Sequence, residues 1–186
     1  MISSLFLATS SLTVYGPLLM YIIFGAEPIV AGYIIALESL GWTVVAVSTS
    51  GVREQTELRL IRLGAVFVSI SMMGLIYAMP SGPLWLIALL AILMGMGFGM
   101  SWTFVSKRII ANVPETERTR ASGSIPTFLR VSMALGSALS GIIANFSGFS
   151  ESSSVVVARN VGFWSFAAFI PLMLVRLFFA WRVSRE

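Results

Sequence analysis

The sequence predicts an all-α membrane protein, a single domain over residues 1–186 with six transmembrane helices. Three observations carry this. Hydrophobic residues make up 57% of the chain and charged residues only 11%, too little polar surface for a soluble domain. The apolar residues gather into six runs, each near the ~20 residues a helix needs to cross ~30 Å of hydrocarbon, where no water satisfies the backbone. The basic residues fall between those runs, mainly on alternate connections.

The spans are expected at 5–24, 28–50, 60–79, 84–105, 121–146 and 161–181. The first opens "MISSLFLATSSLTVYG", with no Lys or Arg ahead of its apolar run, so it reads as a retained span rather than a cleaved signal peptide. The short "GAEP" turns the chain into the second span. "PSGP" is tight enough to make spans three and four an antiparallel hairpin. "SKRIIANVPETERTR" is long and polar, as a link between two three-helix units would be, and halves of some secondary transporters are built as inverted three-plus-three repeats. "SGFSESSSVVVARN" leads to the last span.

Orientation follows from Lys and Arg, which accumulate on the cytoplasmic side. Arg53, Arg59 and Arg62 sit at the second connection, Lys107, Arg108, Arg118 and Arg120 at the fourth, and Arg182 and Arg185 in the tail. The first and third connections have none and the fifth has Arg159 alone, so both termini are expected in the cytoplasm. Trp85 and Trp181 suit the interfacial aromatic belts. Pro17, Pro126 and Pro171 interrupt spans one, five and six and can kink them by removing a backbone donor.

The chain has no Cys, His or Asp, which removes most metal-site, thiol and serine-triad chemistry. No metal, catalytic residue or enzymatic activity is expected. The net charge of +4 lies in clusters that set topology, which points to the lipid bilayer as partner and away from nucleic acid. The glycines of "GMGFGMS" lie inside an apolar span without a preceding strand or a phosphate-binding lysine, so no nucleotide cofactor is expected. Gly95 and Gly99 instead have the small-xxx-small spacing of close helix packing, repeated in span five by Ser137 and Gly141.

Glu38 lies ten residues past Pro28, about 15 Å into the membrane at ~1.5 Å per residue. A charge at that depth costs on the order of 3 kcal/mol unless it faces a cavity or a partner, so it is a candidate for substrate contact or proton coupling. A purely structural pairing is the other reading. Arg130 lies ten residues past Arg120, at similar depth on span five, which leaves two readings open: a Glu38–Arg130 pair that opens when a cation or a proton arrives, or an Arg130 that bonds backbone carbonyls.

"NVPETERTRASGSIPTFLRVSMALGSALSG", Asn112 to Gly141, resembles the stretch leading into the penultimate helix of major facilitator superfamily transporters, especially the multidrug:proton antiporter branch. The shared order is Val113-Pro114, Glu117-Arg118, Ala121-Ser122-Gly123, Arg130 (one residue later than in the family) and Ala134-Leu135-Gly136. Tyr15 to Trp42 is similar to the start of that family's second half. Ser50 to Ala65 is similar to its basic loop, retaining Arg53, Arg62 and Gly64 but lacking the aspartate.

The resemblance implies a major-facilitator-type half bundle with a 3+3 inverted repeat, in which spans two and five border a central cavity. It makes Arg53, Arg62, Gly64, Glu117 and Arg118 candidates for cytoplasmic loop gating. It further implies a multi-pass protein of the plasma membrane, the inner membrane if bacterial, acting as part of a secondary active transporter. Proton-coupled efflux of drugs or metabolites, with the proton gradient as driving force and no cofactor, is the expected activity. Only the C-terminal half of the family is matched, so the expected partners are a small-molecule substrate and a missing N-terminal half or second half-transporter chain. The alternative is a non-transporting membrane subunit or half-transporter that assembles with a partner chain.

Overall fold

In the computed structural model, which describes residues 2–150 and 154–182, the chain is helical, and no strand occurs among the described residues. The helices are α1 (Ile2–Phe24), α2 (Pro28–Ser48), α3 (Glu54–Ser81), α4 (Leu84–Ala111), α5 (Arg118–Phe146), α6 (Val155–Ala167) and α7 (Ile170–Arg182), with a 3-10 turn at Glu115–Glu117. Among the described residues, five stretches are long and apolar enough to cross a membrane: Pro28–Ser48, Thr56–Ser81, Leu84–Ala111, Glu115–Phe146 and Val155–Val175. Ser10–Phe24 adds a shorter apolar helical stretch. The chain is a multi-pass membrane protein.

Local chemistry sets the boundaries. Pro28 opens α2 at a position where its missing N–H costs nothing and its fixed φ suits the helix. α5 ends in a Schellman turn: Gly148, at φ 86°, donates to the Asn145 carbonyl at 3.0 Å and Phe149 donates to Ala144 at 3.1 Å. Phe149 then packs edge-on against the Tyr15 ring, which ties that turn to α1. Ser154 caps α6, its hydroxyl accepting from the Val157 N–H at 3.4 Å.

The last span starts earlier than expected, and it is interrupted just ahead of Pro171, the proline read as able to kink it. Its helix starts at Val155, before Arg159 and Asn160 interrupt the apolar run, and it breaks between α6 and α7. Phe169 N–H bonds back to Phe166 with 3-10 spacing, and Pro171 has no donor to continue the ladder. Pro17 and Pro126 lie inside α1 and α5, which continue past them. α3 and α4 also extend past their expected spans, starting at Glu54 and ending at Ala111, as helical overhangs carrying the charges. The side chains of Trp181 and Arg182, and all of Arg185, lie outside the described residues.

Packing divides the bundle. α4 is sandwiched between α2 and α3, the two most extensive pairings in the molecule; α5 lies on α1, and α6 against α3 and α1. The core joining these groups includes Leu12, Leu19, Met72, Leu75, Met79, Ile87, Met94 and Phe166, all fully buried or nearly so.

Candidate functional site

The seam between α2 and α4 is made by missing side chains. The buried stripe of α2 runs through Ala31, Ile34, Gly41 and Val45, and Glu38 falls on the same stripe. A Cβ at Gly41 would lie 2.6 Å from the Ile92 carbonyl oxygen, and one at Gly99 2.6 Å from that of Trp42. At Gly95 the Glu38 carbonyl oxygen occupies the space a Cβ would need. The intervening Gly97 faces the other way, where its Cβ would meet the Gly64 carbonyl at 2.7 Å. The three glycines of "GMGFGM" thus serve two seams, Gly95 and Gly99 toward α2 and Gly97 toward α3.

This close approach holds the Glu38 backbone against α4 and turns its side chain into a cleft of about 180 Å³. The walls are Thr13 of α1, Ile35, Ser39 and Trp42 of α2, Gly95 and Phe98 of α4, and Met133 of α5. Trp42 and Phe98 form a tilted ring pair, centroids 4.8 Å apart at 49°. The cleft is therefore mostly apolar, with one carboxylate and two hydroxyls. Its volume is below the roughly 300 Å³ at which pockets enclose a drug-sized ligand, so it forms part of a chamber rather than a whole one.

The Glu38–Arg130 pair is not formed. Among the described residues, neither side chain takes part in an ion pair. The reason is the packing: α2 is seated on α4 and α5 on α1, which sets the two charged helices on opposite walls of the cleft. Arg130 is exposed, one helical turn before Met133 on the same side of α5.

The small-residue seam of α5 is shifted by one position from that read in the sequence. Ser132, Gly136, Ser140 and Ala144 are buried, with the Ser140 hydroxyl 2.8 Å from that of Ser11 on α1. Ser137 is half-buried and donates to the Met133 carbonyl of its own helix, and Gly141 has room for a Cβ at 3.5 Å from the Tyr15 hydroxyl.

The loop candidates are dispersed. Arg53 precedes α3, and its carbonyl accepts from Thr56 and Glu57 at 2.8 and 3.1 Å. Arg62 is half-buried on α3, and Gly64 is packed on Gly97. Glu117 and Arg118 are exposed where the 3-10 turn meets α5.

Sequence reasoning missed the charge cluster at this end. Glu57 is 3% exposed, with Lys107 Nζ at 2.5 Å from Oε1 and Arg108 Nε at 4.0 Å from Oε2. The signal was present. Glu57, Ile61, Gly64 and Val68 continue the apolar stripe of α3 at helical spacing, so an acid on that stripe faces α4.

No protein-family model matches the chain, and no solved structure matches it. Among curated proteins it is similar to the riboflavin transporter RibZ of Clostridioides difficile, 25% identical over 161 residues, covering 82% of this chain and 35% of that protein. It is also similar to a probable multidrug-efflux transporter of Mycobacterium tuberculosis, 26% identical over 140 residues, covering 72% of this chain and 29% of that protein. The chain spans about a third of the length of these relatives, which are named as transporters, not enzymes. They support a transport role.

Proposed function

We propose that this chain is a six-span half of a major-facilitator-type secondary transporter, moving small molecules, drugs or metabolites, by proton-coupled efflux. The observation that carries the proposal is Glu38: a midspan carboxylate that forms no ion pair among the described residues, turned into an apolar cleft lined by four helices. A carboxylate so placed costs stability unless it is used. It can bind a cation or a proton on one side of the membrane and release it on the other.

Further features favour the reading. α1 through its full length, with α6 and α7 taken together, supplies six crossings, and the basic connections then face one side with both termini. The exchange of α1–α3 with α4–α7 carries the α2–α4 pairing onto the α5–α1 pairing, as an inverted repeat requires. The small cleft is consistent with a chamber completed by a second half, and the riboflavin and multidrug relatives are consistent with aromatic cargo.

The test is proton-gradient consumption in everted membrane vesicles holding the chain with its native assembly. Ethidium added to energised vesicles is expected to dissipate the gradient and accumulate. Absence of both would reject proton-coupled efflux of this cation.

A further inference from the structure

The cleft has one charge on its walls and a second one helical turn away from them. Glu38 lies on the α2 wall, Arg130 is exposed on α5 one helical turn before Met133 of the facing wall, and among the described residues the two form no ion pair. An exposed guanidinium midway along a membrane helix costs ~3 kcal/mol or more against hydrocarbon. The side of α5 bearing Arg130 and Met133 therefore faces water or a polar group rather than lipid. Had the two charges met, they would have cancelled and left an apolar groove. Kept apart, they leave an anionic anchor beside the Trp42–Phe98 ring pair and a cationic one a helical turn from Met133 on the facing wall.

We propose that this cleft selects planar aromatic molecules that carry both a cationic and an anionic group, the cation at Glu38 and the anion at Arg130; this rests on the reading of the cleft as the ligand site. A guanidinium offers paired N–H donors to a carboxylate, and the ring faces of Trp42 and Phe98 suit a delocalised cation. A ligand that is only cationic leaves Arg130 unanswered. One that is only anionic leaves Glu38 so.

Rhodamine B and its ethyl ester provide the test, because they differ only in whether the ligand carboxylate is free. Binding is measured by fluorescence polarisation to the chain in its native membrane assembly. Rhodamine B is expected to bind about tenfold more tightly than the ester, the worth of one charge-assisted contact. Arg130→Gln should abolish that preference while leaving ester binding unchanged, Arg130→Lys should retain most of it, and Glu38→Gln should weaken both dyes. Equal binding of the two dyes, or a preference that survives Arg130→Gln, overturns the proposal and leaves the transport reading standing. Binding of neither dye overturns the proposal and the cleft as ligand site together, and ethidium-driven gradient consumption then decides separately whether the protein transports.

Discussion

Glu38 and Glu57 are the same residue in the same kind of place, each on the packing stripe of a helix that faces α4, yet their surroundings differ in every respect that matters. Glu57 is at the end of α3, nearly sealed from solvent, and answered by Lys107 at 2.5 Å and Arg108 at 4.0 Å. Glu38 is midway along α2, half-buried, open to a cleft and unanswered. Burial of a carboxylate is thus no guide to its task; what it meets is. Glu57 ties α3 to α4, whereas Glu38 keeps its bonding capacity for something that arrives.

The comparison can be broken most severely at the floor of the cleft. Gly95→Ala pushes a methyl onto the Glu38 carbonyl oxygen, where backbone rather than a flexible side chain must yield, so a loss of about 3 kcal/mol in detergent unfolding is expected. Gly123→Ala on α5, where nothing lies within 4 Å, is the control and should be neutral or stabilising by about 0.5 kcal/mol. At the Glu57 cluster the two partners should differ. Lys107→Ala strands a buried carboxylate beside one distant guanidinium and should cost about 2 kcal/mol. Glu57→Gln leaves a lysine that is 65% exposed and can rehydrate, so about 1 kcal/mol is expected. Equal losses would mean that burial of Glu57 is not what makes the pair matter. The smallest loss belongs to Ser140→Ala, which removes the hydroxyl contact to Ser11 and should cost about 0.6 kcal/mol in the same unfolding measurement.

Much of the architecture was legible because membrane spans announce themselves. α2 and α4 begin where proline and tight turns place them, since an apolar run bounded by Pro28 or Pro83 has no competing reading. The overhangs at Glu54 and Ala111 were hidden, because hydropathy ends where charge begins although the helix does not. Val155 escaped for the same reason, with Arg159 and Asn160 masking a helix that Ser154 already caps. In the site, Glu38 stood out as a lone charge and Gly95 and Gly99 by spacing. The role of Gly97, the one-residue shift to Ser140, and the distance between Glu38 and Arg130 depend on which helices meet, and no local pattern encodes that. Glu57 lies ahead of the apolar run, outside the stretch that hydropathy marks as span three.

The most direct measurement compares Glu38→Gln with Glu57→Gln in one experiment, reading proton-coupled ethidium flux per folded molecule alongside unfolding in detergent. The account predicts that Glu38→Gln reduces coupled flux by about tenfold or more while stability is unchanged or higher, as for loss of an unpaired intramembrane acid. Glu57→Gln should lower stability and leave the flux of the surviving folded molecules near wild type. Unchanged coupling in Glu38→Gln would contradict the account.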